Sequence, residues 1–162
     1  MKKFTQKFFL AMFAIATLGL TSASAQVYQK GDNLLNVGIG LGGGFGTPIG
    51  ASFEHGFTDK ISGGVMATYS SQDIGGYKLK YIIAGVRASY HFDFGVEKLD
   101  PYLGAMLGYN KVSYDSGYTG SASGVAYSGH AGARYYFTEK IGGFAEVGYG
   151  VANLTIGAAF KF

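Results

Sequence analysis

Five ionic side chains each interrupt a run of small or apolar residues: Glu54, Arg87, Arg134, Glu146 and Lys161. Carboxylates and cations this isolated either pair with one another away from water or line a path for ions. Ser128, His130 and Glu146 add the residue types of a nucleophile, a base and an orienting acid. Glu54 and His55 are chain neighbours, but neighbours on a strand point to opposite faces and do not share chemistry there. The run Gly40-Leu41-Gly42-Gly43-Gly44 has the glycine density of a phosphate-cradling loop. It leads into another alternating segment rather than a helix, so a dinucleotide site fails. Cysteine is absent, which removes thiol catalysis and disulfide scaffolding. No metal-ligand cluster is visible, and no cofactor is expected.

Which of these chemistries is open depends on the elements that carry the residues. Apolar residues recur with a period of two, the signature of half-buried strands. Leu35, Val37, Ile39 and Leu41 alternate with Asn36, Gly38, Gly40 and Gly42. The same pattern recurs in segments beginning near residues 49, 61, 81, 102, 127, 141 and 154, which makes eight strands. The turn Phe57-Thr58-Asp59-Lys60-Ile61 returns 80 residues later as Phe137-Thr138-Glu139-Lys140-Ile141, and six of thirteen aligned positions are identical. A third turn near Val96-Glu97-Lys98-Leu99 falls midway. A spacing of about 40 residues between like turns is two ~10-residue strands with their connections, an up-and-down meander.

Residues 1–25 read as a cleavable signal peptide: Lys2, Lys3 and Lys7, an apolar run from Phe8 to Leu20, then Ala23-Ser24-Ala25. Thirteen helical residues rise only ~20 Å, too short for a ~30 Å hydrocarbon core. The mature domain is expected to be 26–162, beginning at Gln26. The formal charge of +3 then belongs wholly to the leader, and a balanced mature chain offers no basic surface for nucleic acid or anionic lipid.

One face of every strand is nearly continuous Leu, Ile, Val, Ala, Phe and Tyr; the other is Gly, Ser and Thr with the five isolated charges. So few charges, in a chain only 14% charged, cannot solubilise a barrel exterior, but they suit a narrow interior. Tyr69, Tyr109, Tyr127 and Tyr149 mark one rim of the apolar face, and Phe57, Phe92, Phe137 and Phe162 the other. Such aromatic girdles flank the lipid-facing band of transmembrane barrels. His55 is expected on the lipid face, one step from the rim. Because a bilayer admits only helices or closed sheets, the segment from Leu34 to Leu41 must pair with that from Leu154 to Phe162. The fold expected is all-β: an eight-stranded antiparallel up-and-down transmembrane barrel with a side-chain-filled interior.

Strands tilted by ~40° climb about 2.6 Å per residue along the barrel axis. Counted from the short turns, Arg134 and Glu54 reach roughly 10–13 Å and Arg87 and Glu146 about 15 Å on this geometry. The expectation is a buried ion-pair network of Glu54, Arg87, Arg134 and Glu146 that plugs a polar lumen, with Lys161 near the inner mouth and His130 above. Ser128 and His130 point inward by parity, so polar filling is the simpler role for them, and no catalytic residue is assigned.

The chain resembles the OmpA/OmpX-type family of small outer-membrane barrels (the outer membrane protein β-barrel domain, porin-like) over residues 27–162. Its most specific part is Gly157-Ala158-Ala159-Phe160-Lys161-Phe162, which looks like the family's C-terminal assembly signal. Ile156 stands where that pattern often has a polar residue. The resemblance implies that the outer-membrane insertion machinery reads Phe160 and Phe162. It also implies outer-membrane lipid and lipopolysaccharide as surroundings, and a monomer exported to the cell outer membrane. The role expected is structural, in envelope integrity. A narrow channel for ions or small solutes stays open as an alternative. So does surface recognition through the outer loops, expected at Gly43 to Pro48, Ser70 to Tyr77, Ser113 to Ala126 and Val151 to Asn153.

Overall fold

Strict alternation gives every strand one apolar and one small or polar face, and a sheet of such strands must also dispose of its unpaired edges. The computed structural model describes residues 27–74, 77–114 and 123–162. The expected leader over 1–25, Gln26, and the centres of two outer connections (75–76 and 115–122) lie outside the described residues. The strands are β1 (Asn33–Leu41), β2 (Ile49–Gly56), β3 (Ile61–Ile74), β4 (Tyr77–His91), β5 (Leu99–Tyr114), β6 (Gly124–Tyr136), β7 (Ile141–Tyr149) and β8 (Leu154–Lys161). Each pairs antiparallel with the next, and β1 pairs with β8, so the sheet closes into a barrel with no free edge. The seam runs from Leu34 opposite Lys161 to Leu41 opposite Leu154.

The parity expected from the sequence holds around the whole wall. Val86 and Leu107 are 61% and 59% exposed on the outside, while Glu54 and Arg134 are 0% exposed inside. Eight strands enclose only enough room for side chains, so wherever two strands coil close together the inner face needs glycine. At Gly64 a Cβ would collide with the Phe53 carbonyl oxygen and lie 2.8 Å from Glu54 Cα.

The 80-residue repeat has a local cause. In the first copy the Phe57 amide donates to the Ile61 carbonyl (2.9 Å) and the Ile61 amide to Thr58 Oγ1 (2.9 Å). In the second, Phe137 donates to Ile141 (2.9 Å) and Ile141 to Thr138 Oγ1 (3.0 Å). Both termini of the described barrel lie at this turn end.

The opposite, loop end departs from the expectation. β3 to β6 are 14, 15, 16 and 13 residues long, against 9, 8, 9 and 8 for β1, β2, β7 and β8. Most of the expected loop at Ser70 to Tyr77 is therefore strand, paired as Ser71 with Lys80 and Asp73 with Lys78, and the ends of the expected loop at Ser113 to Ala126 belong to β5 and β6. Their polar residues suggest loops in sequence, but the ladder is made by the backbone, which is indifferent to side-chain polarity. A half-wall consequently rises beyond Tyr69 and Tyr109 on one side of the barrel.

Candidate functional site

The inner faces of β1 to β7 bring their polar residues together in the turn half of the lumen. Arg134, from β6, is wholly enclosed. Its Nη1 donates to Asp100 Oδ2 (2.8 Å), Nη2 to Glu54 Oε1 (3.1 Å) and Nε to Asn36 Oδ1 (3.0 Å). The guanidinium carbon also lies 4.1 Å from the centroid of the Tyr102 ring. Arg87, from β4, sets Nη2 against Glu146 Oε1 (2.9 Å) and Nε against Glu54 Oε1 (3.1 Å). The second of these is an ion-pair contact without hydrogen-bond alignment. Tyr102 donates its hydroxyl to Glu146 Oε1 (2.8 Å). His130 Nε2 lies 2.8 Å from Arg87 Nη2; a guanidinium can only donate, so this nitrogen accepts and the ring proton sits on Nδ1. Glu54, Arg87, Arg134, Glu146 and His130 thus form one connected cluster.

Two members that the sequence reading leaves out complete it. Asp100 accepts from Arg134 and also lies 2.6 Å from His91 Nδ1. Ser62 donates to Glu54 Oε2 (2.8 Å) and lies 2.8 Å from His91 Nε2. A hydroxyl has one hydrogen, and Ser62 gives it to Glu54. The His91 ring therefore bridges Ser62, at Nε2, and Asp100, at Nδ1. Three carboxylates (Glu54, Asp100, Glu146) are thereby met by two guanidinium groups and the His91 ring, and buried charge of this kind needs such partners.

Lys161 stands near the inner mouth but outside the ion-pair network. It does not reach the cluster: its Nζ donates to the Val27 carbonyl (2.8 Å) and stands 3.8 Å from Asp32 Oδ2. The reason is a segment before β1 that folds under the barrel. Tyr28 within it stacks on His91, with centroids 3.6 Å apart and planes 8° apart, and donates its hydroxyl to the Thr58 carbonyl (2.9 Å). Burial, and then the Asp100 carboxylate, push the Tyr28 phenol up, so it remains a donor. The turn-end mouth is therefore stoppered by Tyr28, and Lys161 fastens the stopper's backbone.

The loop half of the lumen corrects the expectation of a polar filling throughout. Ile83, Met106, Ala126 and Val151 pack there as a buried apolar cluster, with Phe45 and Met66 against it. Between this dry layer and the charges lies a small cavity of about 70 Å³, bordered by Asn36, Ser52, Ser128, His130 and Glu146 among others. It has room for a few waters to meet Asn36 Nδ2 and Ser52 Oγ, which have no hydrogen-bond partner among the described residues.

Ser128 shares that cavity with His130 and Glu146, but His130 commits Nε2 to Arg87, and no hydrogen bond joins Ser128 to it among the described residues. Neither do the described residues place three or more His, Asp or Glu side chains as a metal-binding group.

On the outside, Tyr69, Tyr109, Tyr127 and Tyr149 are exposed towards the loop end, and Phe57, Phe92, Phe137 and Phe162 towards the turn end. Phe92 lies just past the end of β4, which stops at His91. Tyr90 and Tyr135 join the lower ring, edge-on to Phe92 (5.0 Å) and Phe137 (5.9 Å). His55 is exposed near this rim, with Nδ1 3.0 Å from Asn33 Oδ1. Phe160 pairs with Leu35 and Ile141, while Gly157 sits at the closing seam opposite Gly38.

Three solved structures share this fold. The N-terminal β-barrel domain of Pseudomonas aeruginosa OprF is 21% identical, with a TM-score of 0.63 over 82% of this chain and 98% of its own. Outer-membrane protein OprG of the same organism is 16% identical, at 0.66 over 86% and 99%. Ail, the attachment invasion locus protein of Yersinia pestis, solved with the heparin analogue sucrose octasulfate, is 17% identical, at 0.57 over 83% and 100%. The fold is that of the small outer-membrane barrels. No protein-family model matches the sequence, and no curated protein matches it.

Proposed function

We propose that this chain is an integral outer-membrane barrel with a structural role in the cell envelope, its lumen closed by its own side chains. The observation that carries the reading is the inversion of the wall. A closed sheet presents an unbroken apolar band, rimmed by aromatic rings, to its surroundings and keeps its strongest charges inside. Water does not tolerate such an exterior, whereas hydrocarbon does. The short turns and the Tyr28 stopper then face the periplasm, and the half-wall of β3–β6 faces outward. Phe160 and Phe162 are the residues the insertion machinery would read at the C-terminal strand.

Three successive seals argue for a plug rather than a conduit: the apolar cluster around Ile83 and Met106, the ion-pair cluster, and the Tyr28 stopper. The refolded protein in planar bilayers should therefore show no steady single-channel steps. Steady steps in the wild type that vanish on Glu146→Leu would overturn the plug and favour a charge-lined pathway.

A further inference from the structure

The two copies of the repeated turn are covered differently at the mouth they share. Their equivalence is set by the backbone: the His91 amide donates to the Lys60 carbonyl and the Lys161 amide to the Lys140 carbonyl, both at 2.8 Å. Lys161 therefore stands to the second turn as His91 stands to the first, and Tyr136 is the counterpart of Gly56. On the first turn the chain docks its own segment before β1. Tyr28 gives its hydroxyl to the Thr58 carbonyl (2.9 Å), and the Lys30 amide donates to Asp59 Oδ1 (3.1 Å). Gly56 leaves the room for this, since a Cβ there would lie 2.9 Å from the Tyr28 hydroxyl oxygen.

The second turn has no such cover. Glu139, the counterpart of Asp59, takes no hydrogen bond or ion pair among the described residues. Beside it lies a hollow of about 460 Å³ bordered by Lys98, Tyr136, Lys140 and Lys161 among others, within the ~300–1,000 Å³ range of small-molecule sites. Tyr136 is 2% exposed, yet its hydroxyl has no hydrogen-bond partner among the described residues, a rare condition for a buried donor. Lys98 and Lys140 are exposed and form no ion pair among the described residues. Lys161 spends one of its hydrogens on the Val27 carbonyl, and Asp32, at 3.8 Å, lies beyond hydrogen-bond reach.

Three ammonium groups and an unused phenol thus border one hollow, together with the carboxylates of Asp32 and Glu139. Such a lining is complementary to a ligand that carries an anion for the lysines and N–H donors for the acids, and a peptide end has both. We propose that this hollow is a docking site for a short peptide with a free C-terminal carboxylate. The carboxylate lies among the lysines and accepts from Tyr136. A peptide N–H meets Glu139 as the Lys30 amide meets Asp59 on the first turn. The site goes beyond the outer-membrane reading and rests on it only for its place in the periplasm.

The test uses the refolded chain in phosphatidylcholine nanodiscs, with tri-alanine, tri-alanine amide and acetate as probes. Saturable shifts in the backbone amide resonances of Tyr136, Lys140 and Phe162 report occupancy. Tri-alanine should bind at least about tenfold more tightly than its amide, the worth of a charge-assisted hydrogen bond. Acetate, which has no N–H, should bind more weakly than tri-alanine. Lys98→Gln combined with Lys140→Gln should remove most of the preference for the carboxylate, and both positions are exposed, so the fold survives. Tyr136→Phe should weaken tri-alanine by roughly threefold to tenfold, whereas Lys60→Gln at the first turn should change nothing. No saturable shift, equal binding of tri-alanine and its amide, or an unchanged preference in the double lysine variant would overturn the proposal. Acetate binding as tightly as tri-alanine would overturn it too, by reducing the hollow to a general anion site. Failure of the wild type to insert into the nanodisc lipid would instead strike the outer-membrane reading.

Discussion

Replacing Arg134 with leucine should destabilise the folded barrel by about 3–5 kcal/mol. The side chain is fully enclosed and holds two carboxylates, Asp100 at 2.8 Å and Glu54 at 3.1 Å, as well as the Asn36 amide oxygen at 3.0 Å. Leucine fills part of the space but leaves negative charge with no route to water, and stranded charge accounts for most of the loss. The sign of a second substitution tests that account. Arg134→Leu combined with Glu54→Gln removes one cation and one of the two carboxylates it holds, so less negative charge is stranded. The double variant should therefore be more stable than Arg134→Leu alone. Urea unfolding in bilayers, followed by the heat-modifiable shift in gel migration, measures both. A double variant less stable than the single would show that packing, and not charge matching, dominates the site.

Gly157→Val should prevent the barrel from closing. Gly157 lies on the inner face of β8 at the seam with β1, where a Cβ would collide with the Val37 carbonyl oxygen and lie 2.6 Å from Gly38 Cα and 2.7 Å from Phe144 Cε1. Two of those three atoms are backbone of the partner strand, so the seam itself would have to part. In a membrane that leaves unpaired backbone groups in hydrocarbon, at several kcal/mol each. The variant should accumulate as a form lacking the heat-modifiable shift, whereas Ala158→Val on the outward face of the same strand should fold. Normal folding of Gly157→Val would mean that the seam is looser than its register implies. This requirement gives Gly157 a structural reason to be glycine, separate from any part in recognition by the insertion machinery.

The wall was far more legible in sequence than its contents. Alternation is a local signal, and because every strand turns one face to lipid it survives along the chain without interruption. That is enough to place Leu35, Val86 and Leu107 outside, to place Glu54, Arg87, Arg134 and Glu146 inside, and to pair the first strand with the last. Asp100 is hidden in sequence because it sits next to a turn, where an acid is ordinary, and only the full length of β5 carries it into the lumen opposite Arg134. Alternation along β4 puts His91 on the inner face, yet its weight comes from contacts with Ser62, on β3, and Asp100, on β5, which no spacing within β4 displays. Tyr28 precedes the first strand, and its place under the barrel depends on a chain reversal that leaves no periodic trace. The half-wall is hidden for the opposite reason: Ser70 to Asp73 look like a loop because polar residues are as acceptable on a strand standing in water as in a turn.

The most direct test of the central claim is the phase of alternation along one strand in a bilayer. The chain has no cysteine, so single nitroxide labels can be placed one at a time from position 82 to position 90 of β4 without background. Oxygen, which concentrates in hydrocarbon, should reach the labels at 82, 84, 86, 88 and 90 and be largely excluded from those at 83, 85, 87 and 89. Maxima at the odd positions, or no alternation at all, would contradict a barrel that turns its apolar side chains to lipid and its charges to the axis.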